Sequence, residues 1–128
     1  MTPLWAKAVE ASDDARFLFA ARRYHSACNR AYYAMFNAAR ALLIEIHGLP
    51  IQKVKRHATV TRLFSLHLVA DGPFEKEFGK MLKRTEDARV VADYEGGTIS
   101  MTEAGGVIAA MDRFMTIATS LIERQTKP

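Results

Sequence analysis

The strongest constraint on the fold is a line of alanines inside one long predicted helix. Residues 24–47 contain no glycine or proline, and at spacings of four and three residues they carry Ala27, Ala31, Ala34, Ala38 and Ala41. This spacing places the methyl groups along one face of an α-helix, where another helix can approach closely. A second apolar line runs beside it through positions 28, 32, 35, 39, 42 and 46. The two lines predict a central helix that is covered on two sides.

Glycine and proline divide the rest of the chain into four further helical segments. Helices are predicted over about residues 3–22, 24–47, 58–70, 74–94 and 100–125. Gly48 offers a left-handed cap to the second helix, and the pair Ser100 and Glu103 matches a capping box at the start of the fifth. Because short connections join long helices, we predict an all-α fold, a five-helix, mostly up-and-down antiparallel bundle that forms one domain over residues 1–128.

Composition restricts the cellular setting. The single cysteine, Cys28, cannot form an internal disulfide, which favours a reducing compartment. The first residues lack the basic and apolar pattern of a signal peptide, and no apolar run approaches the ~20 residues that cross a bilayer. We therefore expect a cytoplasmic protein without membrane association. The net charge of +4 is compatible with a polyanionic partner.

A narrow polar arc remains on the surface of the predicted second helix. It carries no carboxylate and consists of Asn29, Arg30, Tyr33, Asn37, Arg40 and His47. Solvated helix faces usually alternate charge signs, so cations and amides without acids favour contact with phosphates or with a partner surface. The alternative is that these side chains cap loops and tie helices together. Nucleotide or RNA binding is predicted for Asn29, Arg30, Tyr33, Asn37, Arg40, Lys55 and Arg56.

Two further positions stand out, one just before the predicted third helix and one on the predicted fourth helix. His57 follows Lys53, Lys55 and Arg56 at the entrance of the predicted third helix, where exposed amide N–H groups and basic neighbours suit an anion. Arg89 falls on the inward face of the predicted fourth helix, and a buried unpaired arginine would cost several kcal/mol. Its partner is either a carboxylate one turn away, Asp93 or Glu86, or the anion of a ligand. The sequence leaves both interpretations open.

Several classes of site lack their motifs. The four histidines and single cysteine show no metal-ligand spacing, and no metal or cofactor is predicted. Neither the phosphate loop of nucleoside triphosphatases nor the Gly-x-Ser-x-Gly turn of serine hydrolases occurs in the sequence.

Three segments together resemble a known family. They are the run Asn-Arg-Ala-Tyr-Tyr-Ala-Met-Phe from Asn29, the triplet Lys55-Arg56-His57, and the run Arg-Val-Val-Ala-Asp-Tyr from Arg89. The pattern resembles the HEPN superfamily (higher eukaryotes and prokaryotes nucleotide-binding domain), in particular its small stand-alone prokaryotic branch. The resemblance implies a helical bundle, usually a homodimer, and frequent pairing with a minimal nucleotidyltransferase encoded alongside, often as toxin and antitoxin.

Many members of that superfamily are metal-independent endoribonucleases in which an arginine precedes a histidine by four to six residues. Arg89 matches the arginine, but Asp93, Tyr94 and Glu95 stand where the histidine is expected. Our first hypothesis is therefore a protein that binds nucleotide or RNA through Arg89, Asp93, Tyr94, His57 and the polar arc and acts with a nucleotidyltransferase. The alternatives are an active ribonuclease toxin, in which His57 is the acid and base, and a non-catalytic structural helical dimer.

Overall fold

Helices account for all the regular structure of the described chain. The computed structural model describes residues 2–70, 72–94 and 98–126, and at residues 85, 88–94 and 126 it describes the backbone only. Within these residues there is no strand, and the five α-helices are α1 (Pro3–Ala20), α2 (Tyr24–His47), α3 (His57–Phe64), α4 (Lys76–Tyr94) and α5 (Met101–Thr126). A 3₁₀ turn at Ile51–Lys53 precedes α3, and a π-helix at Ser65–Ala70 follows it. The predicted five-helix all-α fold is confirmed.

The helix α2 forms the centre of the bundle. The helices α1, α3, α4 and α5 all pack against it, and its contact with α1 is the most extensive. Its five-alanine line is completely buried, and α1 contributes the buried residues Ala8, Ala11 and Ala15. Because these side chains end at Cβ, the two helices can approach each other closely. The predicted central position of this helix is correct.

A cluster of four phenylalanines lies between α3, α4 and α5. Phe64 of α3, Phe74 before α4, Phe78 of α4 and Phe114 of α5 are all buried. The ring centroids of Phe64 and Phe74 lie 5.0 Å apart, as do those of Phe74 and Phe114. Such contacts add about 0.5–1.5 kcal/mol per pair beyond the burial of area. The cluster therefore holds α3, α4 and α5 against one another.

Two of the predicted helix ends have the expected geometry. Gly48 adopts a left-handed conformation, with φ of 66°, and its N–H donates to the carbonyl oxygen of Ile44 at 3.0 Å. At the start of α5, the N–H of Ser100 donates to Oε1 of Glu103 at 3.3 Å, and the N–H of Glu103 donates to Oγ of Ser100 at 3.1 Å. This reciprocal pair is the capping box that the sequence predicts.

The third predicted helix differs from the expectation, because α-helical geometry ends at Phe64 and the π-helix continues to Ala70. A π-helix has a wider turn than an α-helix. The chain then turns so tightly that a Cβ atom on Gly72 would lie 2.6 Å from Cα of Leu68. Two other helix ends differ by two residues from their predicted positions. The helix α4 begins at Lys76, and α1 ends at Ala20 because Arg22 takes a positive φ of 63°.

Among the described residues, α5 is the one helix that is long and apolar enough to cross a membrane, although Asp112 and Arg113 interrupt its apolar run. The stretch Met101–Gln125 has a mean hydropathy of 1.2 over its most apolar window. Seven of its apolar side chains are buried, at positions 104, 108, 111, 114, 115, 118 and 122. Its apolar stripe is therefore used to pack against the bundle.

Candidate nucleic-acid interface

His57, the first residue of α3, is held by aromatic rings of α2. Its ring stacks on Phe36 with centroids 4.4 Å apart and an interplanar angle of 16°. A hydrogen bond joins Nδ1 of His57 to the hydroxyl of Tyr32, and the ring of Tyr33 approaches edge-on at 6.3 Å. Tyr32 is buried whereas His57 is half-buried. The central helix thus fixes the position of this histidine at the protein surface.

Arg40 connects α2 to the segment that leads into α3. Its Nε donates to the backbone carbonyl of Val54 at 2.6 Å, and a terminal nitrogen donates to Oδ1 of Asn37 at 3.2 Å. The guanidinium carbon lies 5.4 Å from the ring centre of Phe36. Partial burial lowers the pKa of Arg40, although an arginine stays charged in proteins. These contacts show that Arg40 ties α2 to the segment before α3. Lys55 directly follows the anchored Val54 in the sequence.

A basic groove is formed by the segment that leads into α3 and by the first two turns of α3. It has a volume of about 560 Å³ and is lined by Leu49, Gln52, Lys53, Lys55, Arg56, Thr59, Arg62 and Leu63. The lining contains four cations and no carboxylate, and all four cationic residues are exposed. The predicted residues Lys55 and Arg56 are therefore brought together with Lys53 and Arg62. Arg62 is absent from the predicted site because no motif includes it; only the α3 fold brings it to the groove.

The polar arc of α2 lines a second, smaller cleft. The guanidinium of Arg30 is fixed by Oδ1 of Asn29, with nitrogen–oxygen distances of 2.8 and 3.2 Å, and its carbon lies 5.2 Å from the ring centre of Tyr33. Facing these side chains, α1 supplies residues that the sequence analysis did not select. The cleft of about 310 Å³ is lined by Lys7, Glu10, Ala11, Asp14, Arg30, Tyr33 and Asn37. The arc has no carboxylate of its own, but its neighbour provides two.

His47 belongs to a different surface from the rest of the arc. It lies at the C-terminal end of α2, where its ring centroid is 4.9 Å from that of His67. Burial, and then the charge of His67, lower its pKa below the ordinary value of 6.5. The two histidines line a small cleft with Arg124 of α5. The structure therefore separates His47 from Arg30 and Tyr33.

The third predicted group consists of Arg89, Asp93 and Tyr94. Their backbone belongs to the last turns of α4. Their side chains lie outside the described residues, so their part in the site remains a prediction.

Other reactive groups in the described chain are few. Cys28 is buried, and burial, with a smaller effect of Glu103, raises the pKa of its thiol from 9.0 to about 11. Such a thiol is protonated at neutral pH and is a poor nucleophile. No group of three or more potential metal ligands occurs among the residues that the structure describes.

The fold and the surface together define a class of small all-α domains, built around one long helix whose polar face lies beside a basic segment. Comparison with known protein families identifies the class more closely. The HEPN domain family matches residues 1–121, and the chain therefore belongs to the HEPN family.

Several curated proteins are similar to this chain. A candidate toxin of Methanocaldococcus jannaschii is 34% identical over 101 residues, which cover 79% of this chain and 72% of the relative. A UPF0332 protein of Thermotoga maritima is 40% identical over 88 residues, covering 69% of this chain and 64% of the relative. A UPF0332 protein of Gloeobacter violaceus is 33% identical over 128 residues, covering 95% and 98% respectively.

Proposed function

We propose that this chain is a toxin-like HEPN protein that binds single-stranded RNA or nucleotide at the basic groove and the polar arc. The observation that carries the proposal is the groove itself, where Lys53, Lys55, Arg56 and Arg62 converge without a carboxylate. Lysine and arginine contacts to phosphates supply most of the affinity and position the nucleic acid. The adjacent rings of Tyr33 and His57 are of the kind on which unpaired bases stack.

The binding partners are inferred from membership of the HEPN family and not from a surface of the structure. We propose that a second copy of the chain and a minimal nucleotidyltransferase bind it, as parts of a toxin–antitoxin module in the cytoplasm. The similarity to the Methanocaldococcus jannaschii protein, whose name describes it as a candidate toxin, supports the toxin half of this proposal. Sedimentation equilibrium should give twice the chain mass of 14.3 kDa at micromolar concentration. A mass of one chain would contradict the dimer.

Ribonuclease activity is the second candidate function, and the position of His57 favours it. The Tyr32 hydroxyl and the Phe36 ring fix this imidazole, which follows Lys55 and Arg56 directly in the chain. Cleavage of RNA through its 2′-hydroxyl requires a base, a contribution of about 10²–10⁴ in rate. Imidazole is suited to that step near neutral pH. Metal-independent cleavage that His57→Ala abolishes while the far-ultraviolet circular dichroism stays unchanged would establish the enzyme.

Binding is tested by fluorescence anisotropy with a labelled single-stranded RNA at several salt concentrations. The logarithm of the association constant should fall with the logarithm of salt by about 0.7 per phosphate contact. The variant Lys55→Ala/Arg56→Ala should reduce that slope by about 1.4, because it removes two contacts. Lys76→Ala/Lys80→Ala is the charge-matched control, since these exposed residues line a different cleft, between α4 and the α3 segment. Equal losses in both variants, or no binding at about 50 mM salt, would contradict the proposal.

A further inference from the structure

The cleft between α1 and α2 is formed by two matching rows of polar side chains. Lys7, Glu10 and Asp14 follow one another on α1 at spacings of three and four residues. On α2 the row Arg30, Tyr33 and Asn37 has the same spacings. Side chains so spaced lie on one face of a helix, so each row presents its groups along the length of the cleft. The buried Ala11 forms its floor.

The charged groups that α1 contributes are available to a ligand. Within the described part of the chain, Lys7, Glu10 and Asp14 make no ion pair or side-chain hydrogen bond. Their neighbours on another face of α1 behave differently, because Arg16 is paired with Asp13 at 3.1 Å and with Asp112 at 2.8 Å. The carboxylates of the cleft are therefore free acceptors opposite a fixed guanidinium, that of Arg30.

We propose that this cleft is a guanine-binding subsite for the RNA or nucleotide, an inference that rests on the proposed function. Carboxylates only accept hydrogen bonds, and lysine and arginine only donate them. Guanine presents two adjacent donors, N1–H and the N2 amino group, next to two acceptors, O6 and N7. Glu10 or Asp14 can accept from the donor pair, and Lys7 or Arg30 can donate to the acceptors. The carboxylates thus match the two donors of guanine, and the cations match its two acceptors.

Other occupants fit the same groups less well. Adenine and cytosine each place a ring-nitrogen acceptor beside the amino group, and a carboxylate would face that lone pair. Uracil has one donor between two acceptors. A lysine or arginine side chain from a protein partner would meet the cations Lys7 and Arg30 as well as the carboxylates. Guanine is therefore the ligand that the cleft favours.

Size and position agree with this chemistry. A volume of about 310 Å³ is at the small end of ligand clefts and suits a single nucleotide base with its sugar. Tyr33, which lines the cleft, also contacts His57, and His57 directly follows two cations of the basic groove. A base in the cleft thus lies next to the surface that is proposed to bind phosphates.

The test uses the full chain and a set of short RNAs that differ at one central position in an otherwise uniform uridine sequence. Fluorescence anisotropy at constant salt should show about tenfold tighter binding with central guanine than with adenine, cytosine or uracil, because a bidentate base contact discriminates by roughly 5- to 150-fold. Central inosine, which lacks the N2 amino group, should bind with intermediate affinity. Glu10→Gln/Asp14→Asn should remove the guanine preference. Asp13→Asn/Asp112→Asn, which removes the same number of charges at the ion pairs of Arg16 outside the cleft, should retain it.

The outcomes separate the subsite from the proposed function. Equal affinity for all central bases, or a guanine preference that persists in Glu10→Gln/Asp14→Asn, refutes the subsite while RNA binding that depends on Lys55 and Arg56 stands. Failure of every RNA to bind refutes both. The inosine comparison is made on the wild-type protein, so inosine that binds as tightly as guanine refutes the carboxylate contact to the N2 amino group even if the double variant is unstable.

Discussion

Replacement of Arg40 by methionine separates a structural role of this residue from a role in ligand binding. Methionine keeps the apolar stem but removes the guanidinium, and with it the bond to the Val54 carbonyl at 2.6 Å and the contact with the Phe36 ring at 5.4 Å. Val54 is completely buried, so its carbonyl loses a charged donor in a place where water has little access.

The expected loss of unfolding free energy follows from these contacts. A hydrogen bond to a charged group contributes about 1.5–3 kcal/mol, and a partly exposed cation–π contact contributes about 0.5–1 kcal/mol. Because Arg40 is half-buried and methionine recovers some packing, we expect a net loss of about 2 kcal/mol. For a domain of this size that corresponds to a decrease in melting temperature of roughly 6–10 °C.

The measurement is urea unfolding followed by circular dichroism, together with thermal melting. Arg40→Lys should lie between wild type and Arg40→Met, because an ammonium lacks the planar fork that reaches two acceptors. Arg62→Met is the control, since Arg62 is exposed in the basic groove and should affect RNA affinity but not stability. If Arg40→Met melts within about 1 °C of wild type and only loses RNA affinity, Arg40 is a ligand contact and not an anchor.

Three further predictions concern stability and reactivity. The pKa of His47 is lowered in the folded state, so the unfolded chain binds more protons than the folded chain as pH falls through 6.5. Stability should therefore decrease in this range, and it should decrease less in His47→Gln. Thermal melting across pH 5–8 measures both effects. Ser100→Ala should reduce the unfolding free energy by about 1 kcal/mol, and restoration by Ser100→Asp would show that a capping acceptor is the cause. Cys28 should react with Ellman's reagent only as fast as the protein unfolds, and rapid reaction of the native protein would contradict its burial.

Local sequence patterns predicted most of the fold. The bounds of α2, its left-handed cap and the capping box of α5 depend on residues within a few positions of one another, and these features are correct. The π-helix at Ser65–Ala70 was missed because hydrophobic spacing over so short a segment does not distinguish an α-turn from a wider one.

The site was less predictable because its contacts join distant parts of the chain. His57 was selected for its basic neighbours, but its bond to Tyr32 spans 25 positions, and Tyr32 lies on the apolar line of α2. The sequence analysis does not select Glu10 and Asp14, because their row on α1 becomes a candidate site only when the fold places it opposite Arg30. Helix periodicity gives the face of each residue, but it does not identify the helix that the face will meet.

The buried alanines shared by α1 and α2 have a consequence for ligand size. Ala8 of α1 and Ala34 and Ala38 of α2 are completely buried, and such small side chains allow the two helices to lie close together beside the cleft that Ala11 lines. The spacing of α1 and α2 therefore affects both the packing of the core and the width of the cleft. A methylene added to the interior would widen the opening, whereas a methylene added at Ala11 would make it shallower. Selection for a ligand of given dimensions would therefore act on residues that no ligand touches.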